Sequence, residues 1–329
     1  MDIRVSVLGA GSWGTTVAHL AAHNSPTMLW ARRPEVAEEI AERHTNERYL
    51  PGYELHPNLT ATDDLAKAVG SADVLVVGVP TSGFREALAA ASEFLRPWVP
   101  VVSLSKGFEG DTRLRMSEVI AEEMPGHPVA ILTGPNLAKE ILAGDAAAAV
   151  VATEDPRIAT TLQALFSTDL FRVYTNDDVI GCELGGALKN VIALASGMAD
   201  GLGTGDNTRA AVITRGLAEL TQLGVAMGGR PESFAGLAGM GDLLATCLST
   251  QSRNRHVGEE LGKGKSIDQI IEEMDQVAEG VKTCAIVREL ADEYGVAVPI
   301  TDEMFRVCHE GGSPYDAYRG LLKRNITTE

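Results

Sequence analysis

Along the first half of the chain, short runs of consecutive apolar residues alternate with stretches whose composition favours helix. The runs at residues 3–8, 27–31, 73–79, 100–104, 129–132 and 147–152 are short and largely β-branched, and several carry no polar alternation. Strands covered on both faces show this pattern. Residues 15–23, 35–43 and 113–123 lie between them and carry helix formers. The order βαβαβ predicts an α/β domain, a Rossmann-like, doubly wound parallel sheet, closed by a last strand at 171–174. After Thr175-Asn176-Asp177-Asp178, whose short polar side chains suit a helix start, strand signals vanish. Helices are expected from residue 179 onward, at 206–223, 252–261, 266–274, 281–294 and 315–324. Ser266 with Gln269 has capping-box spacing, and Ser313-Pro314 places a cap before a proline suited to the first helical turn. The reading is therefore an α/β domain over 1–177 followed by an all-α C-terminal domain over 178–329.

A length of 329 residues agrees with two cores, and 45% hydrophobic with 22% charged residues is ordinary globular composition. The net charge of −17, with no basic run to offset it, speaks against nucleic acid and anionic membrane as partners. The four cysteines are scattered and form no C-x-x-C pair, which argues against a structural zinc or disulfide framework and fits a reducing cytoplasm. The first residues already read as strand and turn, so no export signal or membrane insertion is expected.

Gly9-Ala10-Gly11-Ser12-Trp13-Gly14 follows the first strand and opens a helix, the context that gives a G-x-G-x-x-G pattern its meaning. Gly9 permits the tight turn, Gly11 lets backbone N–H groups approach a pyrophosphate, and Gly14 lets helix and strand pack closely. The second strand ends in Trp30-Ala31-Arg32-Arg33, where an NAD-specific site places an acid. Arginine there accommodates a 2′-phosphate, so NADP(H) is preferred with NAD(H) possible; the bland alternative is two solvated arginines.

Lys189 is the one basic residue of an apolar stretch from Val179 to Met198. Desolvation eases loss of its proton, which suits an acid–base group; otherwise it snorkels to solvent or pairs with Glu183. Asn190 beside it is suited to orienting it or a substrate. The seven histidines, His19, His23, His44, His56, His127, His256 and His309, occupy no obvious catalytic context and read as surface or packing residues. Lys106 and Gly107, and Gly134-Pro135-Asn136, follow strands at the end where open α/β sheets bind ligands. Ser252-Arg253-Asn254 at a helix start reads either as an anion pocket or as a serine cap followed by solvated arginines. Asp242, at the end of the glycine-rich Gly239-Met240-Gly241-Asp242, is able to approach ligand hydroxyls or Lys189, and no metal site is proposed.

Taken together these residues resemble the bacterial NAD(P)-dependent sn-glycerol-3-phosphate dehydrogenases. The likeness runs over the whole chain: GAGSWGT, LWARR, SLSKGFE, GPNLAKEI, the run from VYTNDD to GMADGLG, NTRAAVITRGLAE, LAGMGDLLATCLSTQSRNRHVG and VAEGVKT. The resemblance implies reduction of dihydroxyacetone phosphate to sn-glycerol 3-phosphate for glycerophospholipid synthesis, by a cytoplasmic enzyme that is often a homodimer. It assigns Ser12, Trp13, Arg32, Arg33 and Lys106 to the dinucleotide, with Ala138, Arg253, Val277 and Glu279 closing over it. It places the substrate on Lys106, Gly134, Asn136, Lys189, Asp242, Ser252, Arg253 and Asn254, with Lys189 as the acid–base group. Asn136 departs from the family pattern, which commonly carries serine after Gly-Pro; its amide still donates. The alternatives are a related β-hydroxyacid or hydroxyacyl-CoA dehydrogenase, the latter wanting a His–Glu pair near the second-domain helix, or a non-catalytic dinucleotide sensor.

Overall fold

The computed structural model describes residues 3–274 and 279–322 and divides the chain into two compact units, Met1–Glu183 and Leu184–Glu329. The division falls within the Val179–Gly201 helix, whereas the sequence places it just before that helix.

In the first unit eight strands form one sheet: β1 Val5–Leu8, β2 Thr27–Trp30, β3 Leu59–Thr62, β4 Val74–Val77, β5 Val101–Ser103, β6 Val129–Thr133, β7 Ala147–Ala152 and β8 Phe171–Asn176. Their order is β3-β2-β1-β4-β5-β6-β7-β8, the doubly wound arrangement in which the chain returns to the middle of the sheet after β3. Alternation explains the continuous apolar runs. Val5, Val7, Val74 and Val76 pack into one core with Val17, Leu20, Val36 and Ile40, while Leu8, Leu75 and Val77 pack into another with Phe84, Leu88, Met116 and Ile120. Each strand side chain is buried on whichever face it points to.

Two features depart from the sequence reading. β3, Leu-Thr-Ala-Thr at the sheet edge with only Leu59 and Thr62 buried, carries too little apolar signal to mark it as a strand. The sheet is also not wholly parallel, because β7 runs antiparallel to β6. Only the Ala138–Leu142 helix and a turn at Gly144 separate them, so β7 starts near where β6 ends instead of crossing back.

The second unit is helical. Asp178 caps the Val179–Gly201 helix by accepting from the Gly181 N–H at 2.9 Å. Long and apolar enough to cross a membrane, this helix is mostly buried inside the protein. Ser266 and Gln269 form the expected capping box of the Ile267–Glu273 helix. The sequence reading lacked the Pro231–Ala235, Asp242–Leu248 and Pro299–His309 helices. The last begins at a buried carboxylate: Glu219 accepts from the N–H groups of Ile300 (2.8 Å) and Thr301 (3.0 Å), and burial still pushes its carboxyl above the usual range.

Candidate active site

The glycine loop follows β1 as its composition requires. Gly9 has φ +107, and a Cβ there would lie 2.7 Å from the Gly78 carbonyl. At Gly14 it would collide with the Gly9 carbonyl, whereas at Gly11 it would meet nothing within 4 Å. The loop is thus closed behind Gly9 and Gly14 and open at Gly11. Gly78, after β4, is a member of this cradle that the sequence reading missed; its signal was the glycine interrupting the apolar run Val76-Val77-Gly78-Val79.

The Ser12–Ala22 helix has no side-chain cap, and the N–H groups of Gly11, Ser12 and Trp13 donate to no protein group among the described residues. Such a donor set with the positive end of a helix dipole fits a pyrophosphate. Among the described residues Trp13 Nε1 is buried without a partner, and the Ser12 hydroxyl donates to the Tyr49 carbonyl at 3.1 Å. Arg32 and Arg33 are exposed beyond β2, immediately before the Pro34–Arg43 helix. Arg33 lies 3.7 Å from Glu35, and Arg32 forms no ion pair among the described residues.

The structure brings Lys106 and Gly134 together at the ends of β5 and β6, where Lys106 Nζ donates to the Gly134 carbonyl at 2.9 Å. Both polar atoms of the Asn136 carboxamide are buried without a partner among the described residues. Ala138 opens the five-residue helix that follows. Behind the Lys106 loop, Glu183 accepts from the Ser117 N–H (2.9 Å), the Ser117 hydroxyl (2.5 Å) and Arg115 (3.1 Å). Glu183 is therefore committed to Arg115 and Ser117, and the pairing with Lys189 that the sequence left open does not form. Burial raises its carboxyl above the usual range, against the pull of Arg115.

In the second unit Lys189 is 6% exposed and does not snorkel. Its Nζ lies 2.5 Å from Asp242 Oδ1 and donates to Thr246 Oγ1 at 2.6 Å. The Thr246 hydroxyl spends its own proton on the Asp242 carbonyl, so only its lone pairs face the ammonium. Thr246 was not foreseen; its signal was a polar side chain four residues after Asp242, on the same helical face. The Leu237–Gly241 turn, wound wider than an α-helix, presents Asp242. Gly185 admits the turn against the Lys189 helix: a Cβ there would sit 2.7 Å from the Ala238 carbonyl. Cys247 is buried beside this pair, and burial pushes its thiol up to about 12, which disqualifies it as a nucleophile.

Ser252 caps the Arg253–Gly262 helix by accepting from the Arg255 N–H at 3.2 Å. Asn254 donates to Asn190 Oδ1 at 3.0 Å and accepts from the Gly280 N–H at 2.9 Å, joining three helices at one point. Arg255 is held by Asp200 at 2.8 Å, whereas Arg253 is exposed at the helix start. Glu279 opens the Glu279–Tyr294 helix, and Val277 lies outside the described residues. Three of the histidines read as surface or packing residues, His19, His23 and His56, form one cluster in the first unit. Among the described residues no group of His, Cys, Asp and Glu is placed to hold a metal ion.

Comparison with known proteins agrees with both units. Family models of the N-terminus and C-terminus of NAD-dependent glycerol-3-phosphate dehydrogenase match residues 4–159 and 178–319. The chain is 57% identical to glycerol-3-phosphate dehydrogenase (NAD(P)+) 2 of Sphingopyxis alaskensis, over 100% of this chain and 99% of that one. It is 55% identical to glycerol-3-phosphate dehydrogenase (NAD(P)+) of Mycobacterium avium, over 97% and 94%. A crystal structure of glycerol-3-phosphate dehydrogenase from Coxiella burnetii superposes with a TM-score of 0.92 at 35% identity, over 98% of this chain and 99% of that one. A cradle for a pyrophosphate, a buried lysine held by a carboxylate and these matches over the full length lead to one conclusion: the chain belongs to the NAD-dependent glycerol-3-phosphate dehydrogenase family.

Proposed function

We propose that the protein interconverts dihydroxyacetone phosphate and sn-glycerol 3-phosphate with NAD(P)H, supplying glycerophospholipid synthesis. The observation that carries this reading is Lys189, a buried ammonium fixed by Asp242 and Thr246. When bound, the dihydronicotinamide supplies a hydride to the ketone carbon. Lys189 delivers a proton to the developing alkoxide and takes it back in the reverse direction. Asp242 compensates the buried charge and Thr246 fixes its direction, so the ammonium needs no reorganisation as the alkoxide forms. Lys106 contributes further positive charge to the substrate, and Gly134 and Asn136 contact it. Arg253 and Asn254 hold the phosphate at the helix start that Ser252 caps, so that remote binding energy orients the reacting carbon.

Gly9, Gly11, Ser12, Trp13 and Gly14 hold the dinucleotide pyrophosphate, supported by the donor set left unpaired there. Arg32 and Arg33 take the 2′-phosphate, so NADPH is preferred and NADH accepted, and Lys106, Ala138, Arg253, Val277 and Glu279 complete the cofactor contacts. We infer further a cytoplasmic homodimer without nucleic-acid or membrane partners. The charge of −17 supports the absence of polyanionic partners.

The test is oxidation of NADPH and NADH on addition of dihydroxyacetone phosphate, followed at the dinucleotide absorbance. Turnover with both, and a larger kcat/KM for NADPH, is expected. Binding of dinucleotide without turnover would leave a sensor, and turnover of unphosphorylated β-keto acids instead would point to a hydroxyacid dehydrogenase.

A further inference from the structure

We propose that Asn46 is a positioning residue for dinucleotide binding: by holding the Ala10 carbonyl it aims the Gly11 N–H at the pyrophosphate. The inference rests on the glycine-loop reading and adds to it a residue more than thirty positions away in sequence. Asn46 is fully buried in the loop after the Pro34–Arg43 helix. Its Nδ2 donates to the Ala10 carbonyl at 3.0 Å and to Thr15 Oγ1 at 2.9 Å. The Ala10 oxygen is an acceptor only, so the donating end of the carboxamide must face it.

The consequence follows from peptide geometry. Ala10 and Gly11 share one planar trans peptide, in which C=O and N–H point in opposite directions. Anchoring the Ala10 oxygen to Asn46 therefore turns the Gly11 N–H away from the protein interior. A Cβ at Gly11 would meet nothing within 4 Å, and the Gly11 N–H has no protein acceptor among the described residues. Glycines leave this peptide free to rotate, so the orientation needs an external hold. A second tie from the same segment, the Ser12 hydroxyl on the Tyr49 carbonyl, steadies the next peptide.

The segment is itself fixed at both ends. Glu39 accepts from the Thr45 hydroxyl (2.9 Å) and the Glu47 N–H (2.8 Å), and the His56 N–H donates to His19 Nδ1 at 3.0 Å. Asn46 thus transmits a rigid backbone position to the loop, and it does so without touching the ligand.

Calorimetric dissociation constants separate this role from a general structural one. NAD+, NADP+ and adenosine 2′-phosphate, which lacks the pyrophosphate, are titrated into wild type, Asn46→Ala and Asn46→Asp at pH 8 and pH 6. At pH 8 both variants are expected to weaken NAD+ and NADP+ by the same factor, on the order of ten-fold, with adenosine 2′-phosphate unchanged. At pH 6 Asn46→Asp, taken relative to wild type at the same pH, regains affinity because a protonated carboxyl donates to the Ala10 carbonyl as the amide did; Asn46→Ala does not. Wild-type affinity in Asn46→Ala, or equal weakening of adenosine 2′-phosphate, overturns the proposal. If the Asp variant fails to fold at pH 8, the Asn46→Ala arm decides alone. A wild type that binds neither dinucleotide would overturn the glycine-loop reading itself, an outcome distinct from binding that the substitutions leave intact.

Discussion

Lys189 shows why a buried charge must be judged with its partner. Taking an ammonium out of water costs several kcal/mol, and the Asp242 carboxylate, 2% exposed and 2.5 Å away, is what compensates it. Truncating the lysine does not relieve that cost, because Lys189→Ala leaves the Asp242 carboxylate in the interior without its ammonium. Lys189→Ala is expected to lose turnover nearly completely and to cost about 3–5 kcal/mol of stability. Adding Asp242→Asn should restore much of the stability and none of the turnover. Denaturant unfolding and steady-state rates on the single and double variants check this, and a double variant no more stable than Lys189→Ala would show that the pair is not what holds the helix. The same residue scale marks where sequence reading stops. Asp242 as a partner of Lys189 was legible from the glycines Gly239 and Gly241 that precede the acid, and the glycine loop from its place after a strand. Asn46 was not, because its whole effect is exerted on Ala10 and Thr15, residues no local pattern connects with it.

At the scale of elements, the strands buried on both faces and the long capped helices were readable because their signals are local: periodicity, a cap, a capping box. β3 and the wide turn before Asp242 were not, since neither has a strong period of its own and both depend on neighbours for their backbone. Helix crossing belongs to this second kind. Gly197 and Gly201 on the Lys189 helix face Gly258 and Gly262 on the Arg253–Gly262 helix, so that a Cβ at Gly197 would run into the Arg255 carbonyl and one at Gly258 into the Leu194 carbonyl. This backbone-to-backbone contact fixes the start of the second helix, with Ser252, Arg253 and Asn254, at a set distance from Asn190. Gly258→Ala is expected to force the helices apart, costing about 1–3 kcal/mol in denaturant unfolding. Because the displaced segment is the proposed phosphate holder, it should also raise KM for dihydroxyacetone phosphate while leaving the dissociation constant of NADPH little changed. An unchanged KM would mean that the crossing does not position the phosphate site.

At the scale of the whole molecule, two units with separate cores call for separate probes, and the sequence provides one: Trp13, Trp30 and Trp98, all the tryptophans of the chain, lie in the first unit. Their fluorescence reports on the first unit. That unit contains the His19, His23 and His56 cluster, in which His19 is bonded as a neutral ring. His19 Nδ1 accepts from the His56 N–H, so its proton sits on Nε2, 3.4 Å from His23 Nε2. Protonating His19 removes the acceptor from the His56 N–H. Burial first, and then the neighbouring imidazoles His23 and His56, bring the His19 ring down from 6.5 to about 4. His23 and His44 act on His56 in the same sense, after its own burial. The unfolded chain therefore binds a proton below pH 6.5 that the folded unit refuses until about pH 4. The stabilisation is complete above pH 6.5 and is lost as pH falls through that window. Discounted for the ring's partial exposure, the loss for His19 amounts to about 2–3 kcal/mol. His19→Asn, whose Oδ1 stands where Nδ1 stood and still accepts from the His56 N–H, removes the titration without removing the contact. Guanidinium midpoints followed by tryptophan fluorescence from pH 8 to pH 4 should fall less steeply for this variant than for the wild type. Parallel curves would place the acid sensitivity of this unit between pH 8 and pH 4 elsewhere than in His19.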